Sequence, residues 1–315
     1  MMTFVPNYYS KFSCIAEKCT HNCCIGWEID IDEETLGKYM HMGGTMGKRL
    51  KAGISFDETP HFVLSADERC PFLNSRGLCD IIAECGEDHL CEICKMHPRF
   101  VNTYSEFCEM GLGLCCEEAA RIIVSEEMDF SLVCEELSET DNLFREAPLL
   151  VEAEFLSERA EIFEIIQNRS LSVAQNVSEL CGRYGIDMSF PDMSSLCEIY
   201  LSLERLDHKW TELLEELSHS DIGAGCIGIS EFERASRNLL CYFIYRHSAE
   251  SLYDDDMESK VKFAVAGTFI IIALCEMHKE KSGNIAETDI AEYARMFSAE
   301  VEYSEENTQM LFEIL

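Results

Sequence analysis

The sequence predicts a mainly α-helical fold in which an irregular, cysteine-rich, metal-stapled N-terminal region precedes an all-helical C-terminal bundle. Residues 1–123 hold 12 of the 18 cysteines of the 315-residue chain. Gly and Pro interrupt the short apolar runs of this part, which is typical of loops and brief elements around a stapled core. Beyond Leu149, apolar residues instead recur every three or four positions, which is the period of amphipathic helices.

Three segments follow from this contrast. Residues 1–123 are expected to form a domain that binds a metal ion or an iron-sulfur cluster. Residues 124–145 are acidic and lack a clean apolar period, so we expect a connecting segment there. Residues 146–315 are expected to form the helical domain, with helical runs at 149–170, 194–218, 231–247, 261–281 and 287–315.

The charge excludes several classes of partner. The chain has 25 basic and 59 acidic residues and a formal net charge of -34, which would repel nucleic acid and anionic lipid. Such a surface suits a lysine-rich protein substrate, or it serves only to keep the protein in solution. The N-terminus shows no secretory signal, and the apolar run 261–274 is too short to span a bilayer, so we expect a cytoplasmic protein without membrane contact.

Cysteines of a cytoplasmic protein are kept reduced, so their grouping favours metal or iron-sulfur binding over disulfides. Adjacent Cys23 and Cys24 point to opposite sides of an extended chain, and could serve two centres, or one centre in a tight turn at Gly26. Eight thiolates would complete two four-coordinate sites, of zinc or of iron-sulfur clusters. The candidate ligands are Cys14, Cys19, Cys23, Cys24, Cys70, Cys79, Cys94 and Cys116.

The other ten cysteines divide into two groups. Six of them are expected to be structural, because most fall in predicted helices and buried free cysteine packs as a small hydrophobe; they are Cys134, Cys181, Cys197, Cys226, Cys241 and Cys275. The remaining four could be substitute ligands or spare thiols, and the spacing leaves both alternatives open; they are Cys85, Cys91, Cys108 and Cys115.

Five motifs carry a resemblance to a known family: FSCIAEKCTHNCCIGWEIDID, CPFLNSRGLCDI, CGEDHL, CKMHPR and CCEEAAR. Together they resemble the flagellin lysine-N-methylases, whose N-terminal half is similar to cysteine-cluster domains described as zinc or iron chelators. The resemblance covers about residues 8–125 and maps the cluster cysteines onto the same eight positions, but not onto Cys85, Cys91 or Cys115. Two departures concern His97, where a tyrosine is usual, and Glu117, where a proline is usual.

The resemblance implies methyl transfer from S-adenosylmethionine to surface lysines of flagellin by an enzyme that contains an iron-sulfur cluster. The cysteine spacing differs from that of radical S-adenosylmethionine enzymes, and a neutral amine is already a nucleophile, so polar displacement is the expected chemistry. The only G-x-G-x-x-G match, residues 223–228, lies between predicted helices and is expected to be a loop. The sequence assigns neither the catalytic residues nor the S-adenosylmethionine site.

Two other classes of function compete with this one. A non-enzymatic protein could sequester or sense zinc or iron, with the helical half as an interaction module. A redox protein could instead cycle its thiols, and it would carry easily reduced disulfides in place of bound metal.

Overall fold

The computed structural model describes residues 2–57, 59–135, 149–187 and 193–315. The predicted connecting segment therefore lies outside the described residues from position 136 onward. The helices are α1 (Glu33–His41), α2 (Gly44–Ala52), α3 (Asp80–Cys85), α4 (Glu92–Met96), α5 (Glu117–Ser125), α6 (Leu149–Gln167), α7 (Val173–Arg183), α8 (Met193–Ser202), α9 (His208–Ser218), α10 (Glu233–His247), α11 (Ser251–Asp254), α12 (Met257–Ser282), α13 (Glu287–Phe297) and α14 (Glu305–Ile314). The strands are β1 (Met2–Pro6), β2 (Ile54–Ser55), β3 (His61–Phe62), β4 (Arg99–Thr103), β5 (Phe107–Leu112) and β6 (Leu132–Glu135).

The chain forms two compact units, which differ in extent from the segments expected from the sequence. One unit is Ser13–Arg99, called here the thiol unit. The other combines Met1–Phe12 with Phe100–Leu315 and is called here the helical unit. The N-terminal strand and the segment from Phe100 onward join the helical unit because β1 pairs with β5 and β6, a long-range pairing that a linear count of cysteines does not indicate.

The thiol unit consists of short elements around a small core. Asp32 caps α1 by accepting a hydrogen bond from the backbone of Thr35, and acidic residues in the first turn and basic ones in the last suit the helix dipole. Helices α1 and α2 pack together, and β2 pairs antiparallel with β3. Tyr39, Phe62 and Phe72 are the largest fully buried side chains of this unit.

The helical unit contains a four-stranded sheet in addition to its helices. The strand order is β4-β5-β1-β6, with β1 parallel to β5 and antiparallel to β6. Thr3 lies opposite Cys108 in the first pair, and the rings of Phe4 and Phe107 pack edge to face with centroids 5.5 Å apart. The prediction of a mainly α-helical protein is confirmed, and residues 149–187 and 193–315 hold helices and their connections without a strand.

Two of the predicted helical runs are divided in the structure. The run 194–218 becomes α8 and α9, because the Asp207 side chain accepts a hydrogen bond from the backbone of Lys209 at 2.8 Å and starts a new helix. The run 287–315 becomes α13, a π-helical turn at Ser298–Glu302, and α14. The GAGCIG sequence lies in a short 3-10 turn, Ala224–Gly228, between α9 and α10, where a loop was predicted.

Helix α12 is the centre of the helical unit. Among the described residues it is the one helix long and apolar enough to cross a membrane by length and composition, but 83% of its apolar window is buried inside the protein. The helix ends at Gly283, whose positive φ of 82° forms a left-handed cap. Gly267 allows close packing, because a Cβ there would lie 2.9 Å from Cζ of Phe297 and 3.3 Å from the Phe243 ring.

A buried ion pair connects the sheet to α6. Arg159 donates to the carboxylate of Glu109, with Nη1 2.8 Å from Oε2, and the hydroxyl of Tyr104 donates to the same oxygen at 2.9 Å. The side chains of Arg159 and Glu109 are 3% and 1% exposed. Such a pair holds two elements in register, because removing one partner leaves an uncompensated buried charge.

Candidate metal centre

The adjacent cysteines Cys23 and Cys24 lie in a turn that Asn22 organises. The side-chain oxygen of Asn22 accepts from the backbone N–H of Cys24 at 2.9 Å, and its amide donates to the Gly77 carbonyl at 2.8 Å. Asparagine favours such turns because its side chain can bond the backbone two residues ahead. Gly26 follows with a φ of 89°, the left-handed backbone that a tight turn at this glycine requires.

The segment from Cys70 to Cys79 approaches the same turn. The backbone N–H of Cys70 donates to the carbonyl of Cys24 at 2.9 Å. Cys79 precedes α3, and the first residue of that helix, Asp80, accepts hydrogen bonds from Arg49 at 2.6 Å and from Asn74 at 2.9 Å. Cys70 lies in the small apolar core of the thiol unit, and Cys79 packs against that core.

The third segment carries Cys91 and Cys94 at the start of α4. Their Sγ atoms are 3.4 Å apart, within thiol hydrogen-bonding distance. Asp32 accepts a hydrogen bond from the backbone of Glu92 at 2.8 Å while it also caps α1. The hydroxyl of Tyr39 donates to the His89 carbonyl at 2.6 Å. One half-buried carboxylate and one buried phenol thus fix the loop that presents the two thiols.

The three segments bring six thiols close enough to influence one another's ionisation. A hydrogen bond from Cys24 lowers the pKa of Cys23 to about 7, and raises the pKa of Cys24 itself. A hydrogen bond between Cys91 and Cys94 likewise lowers the pKa of Cys91 and raises that of Cys94. The charges of further cluster thiols add to the rise at Cys24 and Cys94. The six members of this thiol cluster are Cys23, Cys24, Cys70, Cys79, Cys91 and Cys94.

Burial acts on the same cluster. It raises the pKa of Cys70 to about 11 and also raises the pKa of Cys79. Burial and like charge therefore both oppose the ionisation of most of these thiols. A bound cation would relieve that opposition, because thiolate ligands are stabilised by the metal charge.

The donor set fits a soft metal, but the cluster is arranged as pairs of thiols. Zinc and iron-sulfur clusters are the metal groups that closely spaced cysteine thiolates hold. Across residues 2–57, 59–135, 149–187 and 193–315, no three His, Cys, Asp or Glu side chains surround a common point as metal ligands do. None of the 18 cysteines, all of which lie among the described residues, forms a disulfide. The metal staple expected from the sequence therefore stays a prediction.

The other three predicted ligands are not members of the thiol cluster. Cys14 is exposed, and the thiol of Cys19 donates to the carbonyl of His21 at 2.9 Å. Cys116 belongs to the helical unit, where it precedes the first residue of α5. Cys91, which neither the family resemblance nor the spacing argument placed among the ligands, lies in the cluster. The signal that could have found it is its C-x-x-C spacing with Cys94.

A second group of titratable side chains lies in the helical unit, at the end of the π-helical turn. The carboxylate of Glu302 accepts hydrogen bonds from Nε2 of His247 at 2.7 Å and from the hydroxyl of Tyr242. Burial opposes its charge, but Arg246 and His247 together hold the pKa of Glu302 at about 2. π-helical turns are frequent at functional sites.

Tyr303 is the exposed member beside this group, with 44% of its surface accessible. Burial of the rest of the side chain, together with the Cys115 thiol to which it is hydrogen-bonded, raises the pKa of Tyr303. It therefore remains a neutral phenol near pH 7. A phenol can orient an amine by hydrogen bonding, but it does not act as a base at that pH.

A groove of the helical unit is formed by α9 and the C-terminal part of α12. Its volume is about 650 Å³. Four glutamates dominate a wall that also includes Lys281, whose ammonium pairs with Glu216. The lining residues are Glu212, Glu215, Glu216, His219, Ser220, Met277, Glu280 and Lys281.

The helical unit carries the decisive comparison with known proteins. Residues 110–315 match the FliB lysine N-methylase C-terminal domain, a span that runs from β5 to α14. The chain belongs to the FliB lysine N-methylase family. The family resemblance predicted from the thiol motifs is thus confirmed, although the match to the FliB family begins at residue 110, after the thiol unit ends.

Individual relatives agree with the family. A Lysine-N-methylase of Salmonella typhimurium (strain LT2) is 27% identical over 151 residues, which are 46% of this chain and 37% of that protein. The Flagellar biosynthetic protein FliU of Salmonella muenchen is 28% identical over 128 residues, which are 38% of this chain and 76% of that protein. The chain thus spans little more than a third of the length of the Salmonella lysine-N-methylase that it matches. No solved structure is significantly similar to the chain.

Proposed function

We propose that this protein is a cytoplasmic protein-lysine N-methyltransferase, which transfers methyl groups from S-adenosylmethionine to surface lysines of flagellin. The observation that carries the proposal is the match of residues 110–315 to the FliB lysine N-methylase C-terminal domain. The names of the relatives, a lysine-N-methylase and a flagellar biosynthetic protein, support the reaction and the choice of substrate.

The proposed chemistry is a polar displacement. A lysine ammonium, with an unperturbed pKa of about 10.4, must first lose a proton, because only the neutral amine has a lone pair. The amine nitrogen then forms a bond to the methyl carbon while the carbon–sulfur bond breaks and sulfur keeps the electron pair. The products are the methylated lysine and S-adenosylhomocysteine. Alignment of the amine and exclusion of water are what the enzyme must supply.

The proposal includes a cysteine-ligated iron-sulfur cluster, with zinc as the alternative. The residues proposed from the sequence to hold it are Cys14, Cys19, Cys23, Cys24, Cys70, Cys79, Cys94 and Cys116. When bound, the metal group would either fix the fold of the thiol segments or form part of a substrate or cofactor pocket. Five of these eight residues belong to the thiol cluster: Cys23, Cys24, Cys70, Cys79 and Cys94.

The charge of the protein supports a lysine-bearing substrate. A net charge of -34 raises the rate at which a cationic protein surface meets the enzyme, and the effect weakens as salt screens it. Nucleic acid and anionic membranes would be repelled by the same charge.

Mass spectrometry of the substrate tests the proposal. Purified protein, reconstituted anaerobically with iron and sulfide, is incubated with S-adenosylmethionine and flagellin. We expect flagellin to gain mass in steps of one methylene and the modified sites to be lysines. Flagellin whose lysines are chemically acetylated beforehand is the matched control and should gain nothing.

The competing hypothesis predicts the opposite result in the same assay. A protein that only sequesters or senses metal would bind iron or zinc and leave the mass of flagellin unchanged. That outcome, with metal bound at full occupancy, would overturn the methyltransferase proposal.

A further inference from the structure

We propose that Cys91 is a ligand of the metal centre, and that it binds as the partner of Cys94. The inference rests on the metal centre of the proposed function and assigns to it a residue that the family resemblance leaves out. Four features of the thiol unit support it: the distance between the two thiols, their surroundings, the anchoring of their loop, and the contrast with a neighbouring cysteine.

The first feature is distance. Sγ of Cys91 lies 3.4 Å from Sγ of Cys94. Two thiolates bound at about 2.3 Å to one tetrahedral metal lie roughly 3.8 Å apart, so the pair is already close to the spacing that a shared metal requires. Cys91 immediately precedes α4 and Cys94 lies one turn later, so both side chains occupy the same face of the helix start.

The second feature is the surroundings of the pair. Cys91 is 1% exposed and belongs, together with Cys70, to the small apolar core of the thiol unit. Cys94, whose assignment as a ligand comes from the family pattern, packs half-buried against the same core, as Cys24 and Cys79 do. Each cysteine turns its sulfur about a single side-chain torsion, so bringing the paired thiols onto one centre needs side-chain rotation without a new backbone path.

The third feature is the anchoring of the loop that carries Cys91. Asp32 bonds the backbone of both α1 and α4, and Tyr39 donates to the carbonyl of His89 from a fully buried position. Ligand loops of metal sites are commonly held by such outer hydrogen bonds, because a fixed ligand loses less entropy on binding.

The fourth feature is the contrast with Cys85. This cysteine is the last residue of α3, is also left out by the family resemblance, and packs half-buried against the same apolar core. Among the described residues, no hydrogen bond joins its thiol to another cysteine, whereas the Cys91 thiol lies 3.4 Å from that of Cys94. A spare cysteine that serves only as a small hydrophobe behaves in this way. Cys85 therefore provides a matched control for Cys91.

The test measures bound metal in the full-length chain. Wild type and the Cys91→Ser, Cys94→Ser and Cys85→Ser variants are reconstituted anaerobically with ferrous iron and sulfide, and separately with zinc. Iron, sulfide and zinc per chain are measured together with the visible absorbance. We expect Cys91→Ser and Cys94→Ser to lose at least half of the bound metal and of the absorbance, and Cys85→Ser to match wild type. Wild-type metal content and spectrum in Cys91→Ser would overturn the inference.

A second variant covers the case in which Cys91→Ser does not fold. Cys91→His retains a metal-binding side chain, and cobalt(II) serves as the probe because its thiolate charge-transfer absorbance reports the number of bound sulfurs. If four thiolates bind each ion, we expect Cys91→His to bind cobalt with roughly a quarter less of this absorbance than wild type. An unchanged band intensity at equal cobalt content would contradict the assignment of Cys91.

The outcomes separate this inference from the proposed function. Wild type that takes up no iron, sulfide, zinc or cobalt would overturn the metal centre and the inference with it. If wild type binds metal and the Cys91→Ser variant binds the same amount, the inference alone is overturned. Neither result depends on the methylation of flagellin, which is measured separately.

Discussion

The two units of the molecule use cysteine in different ways. In the helical unit, burial is the sole cause that raises the pKa of Cys181 and the pKa of Cys197, the latter to about 12, as expected for a thiol that packs as an isolated hydrophobe. In the thiol unit, hydrogen bonds between thiols are the largest cause of the shifts at Cys24 and Cys94. Contact between cysteine side chains is therefore a better indicator of metal binding than the number of cysteines in a unit.

The hydrophobic cores of the two units also differ in size and composition. Helix α12 supplies the helical unit with a long buried segment, around which aromatic rings pack edge to face. The thiol unit has a small apolar core that includes Cys70 and Cys91 among its buried side chains. A small unit buries a smaller fraction of its surface on folding than a large one does, so a metal would add to the modest core of the thiol unit. We therefore expect the thiol unit to depend on its metal and the helical unit to be independent of it.

Removal of the metal is expected to give the largest difference between the two units. If an anaerobic chelator strips the reconstituted protein, we expect fast hydrogen exchange throughout Ser13–Arg99, because metal binding to such a site is also folding free energy. Exchange in α10 and α12 should remain slow. Amide hydrogen exchange read by mass spectrometry resolves the two units, and equal protection of the thiol unit with and without metal would show that its apolar core suffices.

Substitution of Glu302 tests the stability of the helical unit, which we expect to be independent of metal. We expect Glu302→Gln to destabilise the protein by about 3–5 kcal/mol at pH 7, because Arg246 and His247 lose their buried counter-charge. The free energy of unfolding is measured by urea denaturation followed by helical circular dichroism. Glu161→Gln, which breaks an exposed pair with Arg183, is the control and should cost less than about 1 kcal/mol.

The same carboxylate predicts a pH dependence. The pKa of Glu302 is held at about 2, below its ordinary value of 4.5, so its contribution to stability is complete above pH 4.5 and is lost as the pH falls toward 2. Wild type should therefore lose more stability over this range than Glu302→Gln does. Parallel slopes for the two proteins would show that the pKa of Glu302 is the same in the folded and unfolded chain.

The packing of α12 gives the smallest expected effect. A methyl group at Gly267 would press on the buried rings of Phe297 and Phe243, so we expect Gly267→Ala to destabilise the protein by about 1–3 kcal/mol in the same denaturation experiment. Gly182 in α7 is the matched control, because a Cβ there meets nothing within 4 Å. Gly182→Ala should be neutral or stabilise the helix by up to about 1 kcal/mol. Equal effects of the two substitutions would mean that α12 can move to accept the methyl group.

Part of the fold could be predicted because it depends on local pattern. The helices beyond Leu149 follow from apolar residues at three- and four-residue spacing, and α12 could be assigned to the core from its composition. The break between α8 and α9 was missed, because a single capping aspartate ends an otherwise continuous apolar period. The two compact units divide the chain differently from the predicted segments, because pairing of strands a hundred residues apart leaves no local trace in the sequence.

Within the candidate site, motif spacing identified candidate cysteines but did not show which thiols lie close together in space. Cys23, Cys24, Cys70, Cys79 and Cys94 could be selected from their motifs. Cys91 could not be separated from Cys85, since both are unassigned cysteines a few residues apart in the same segment.

The sequence by itself determined the helical composition, the acidic charge and the family, because each depends on residue identity and short-range spacing. The tertiary structure alone decided which cysteines are neighbours. Thiols that are far apart along the chain can meet only where the backbone folds back on itself. The turn at Asn22 and the cap at Asp32 bring Cys24 and Cys91 into one cluster.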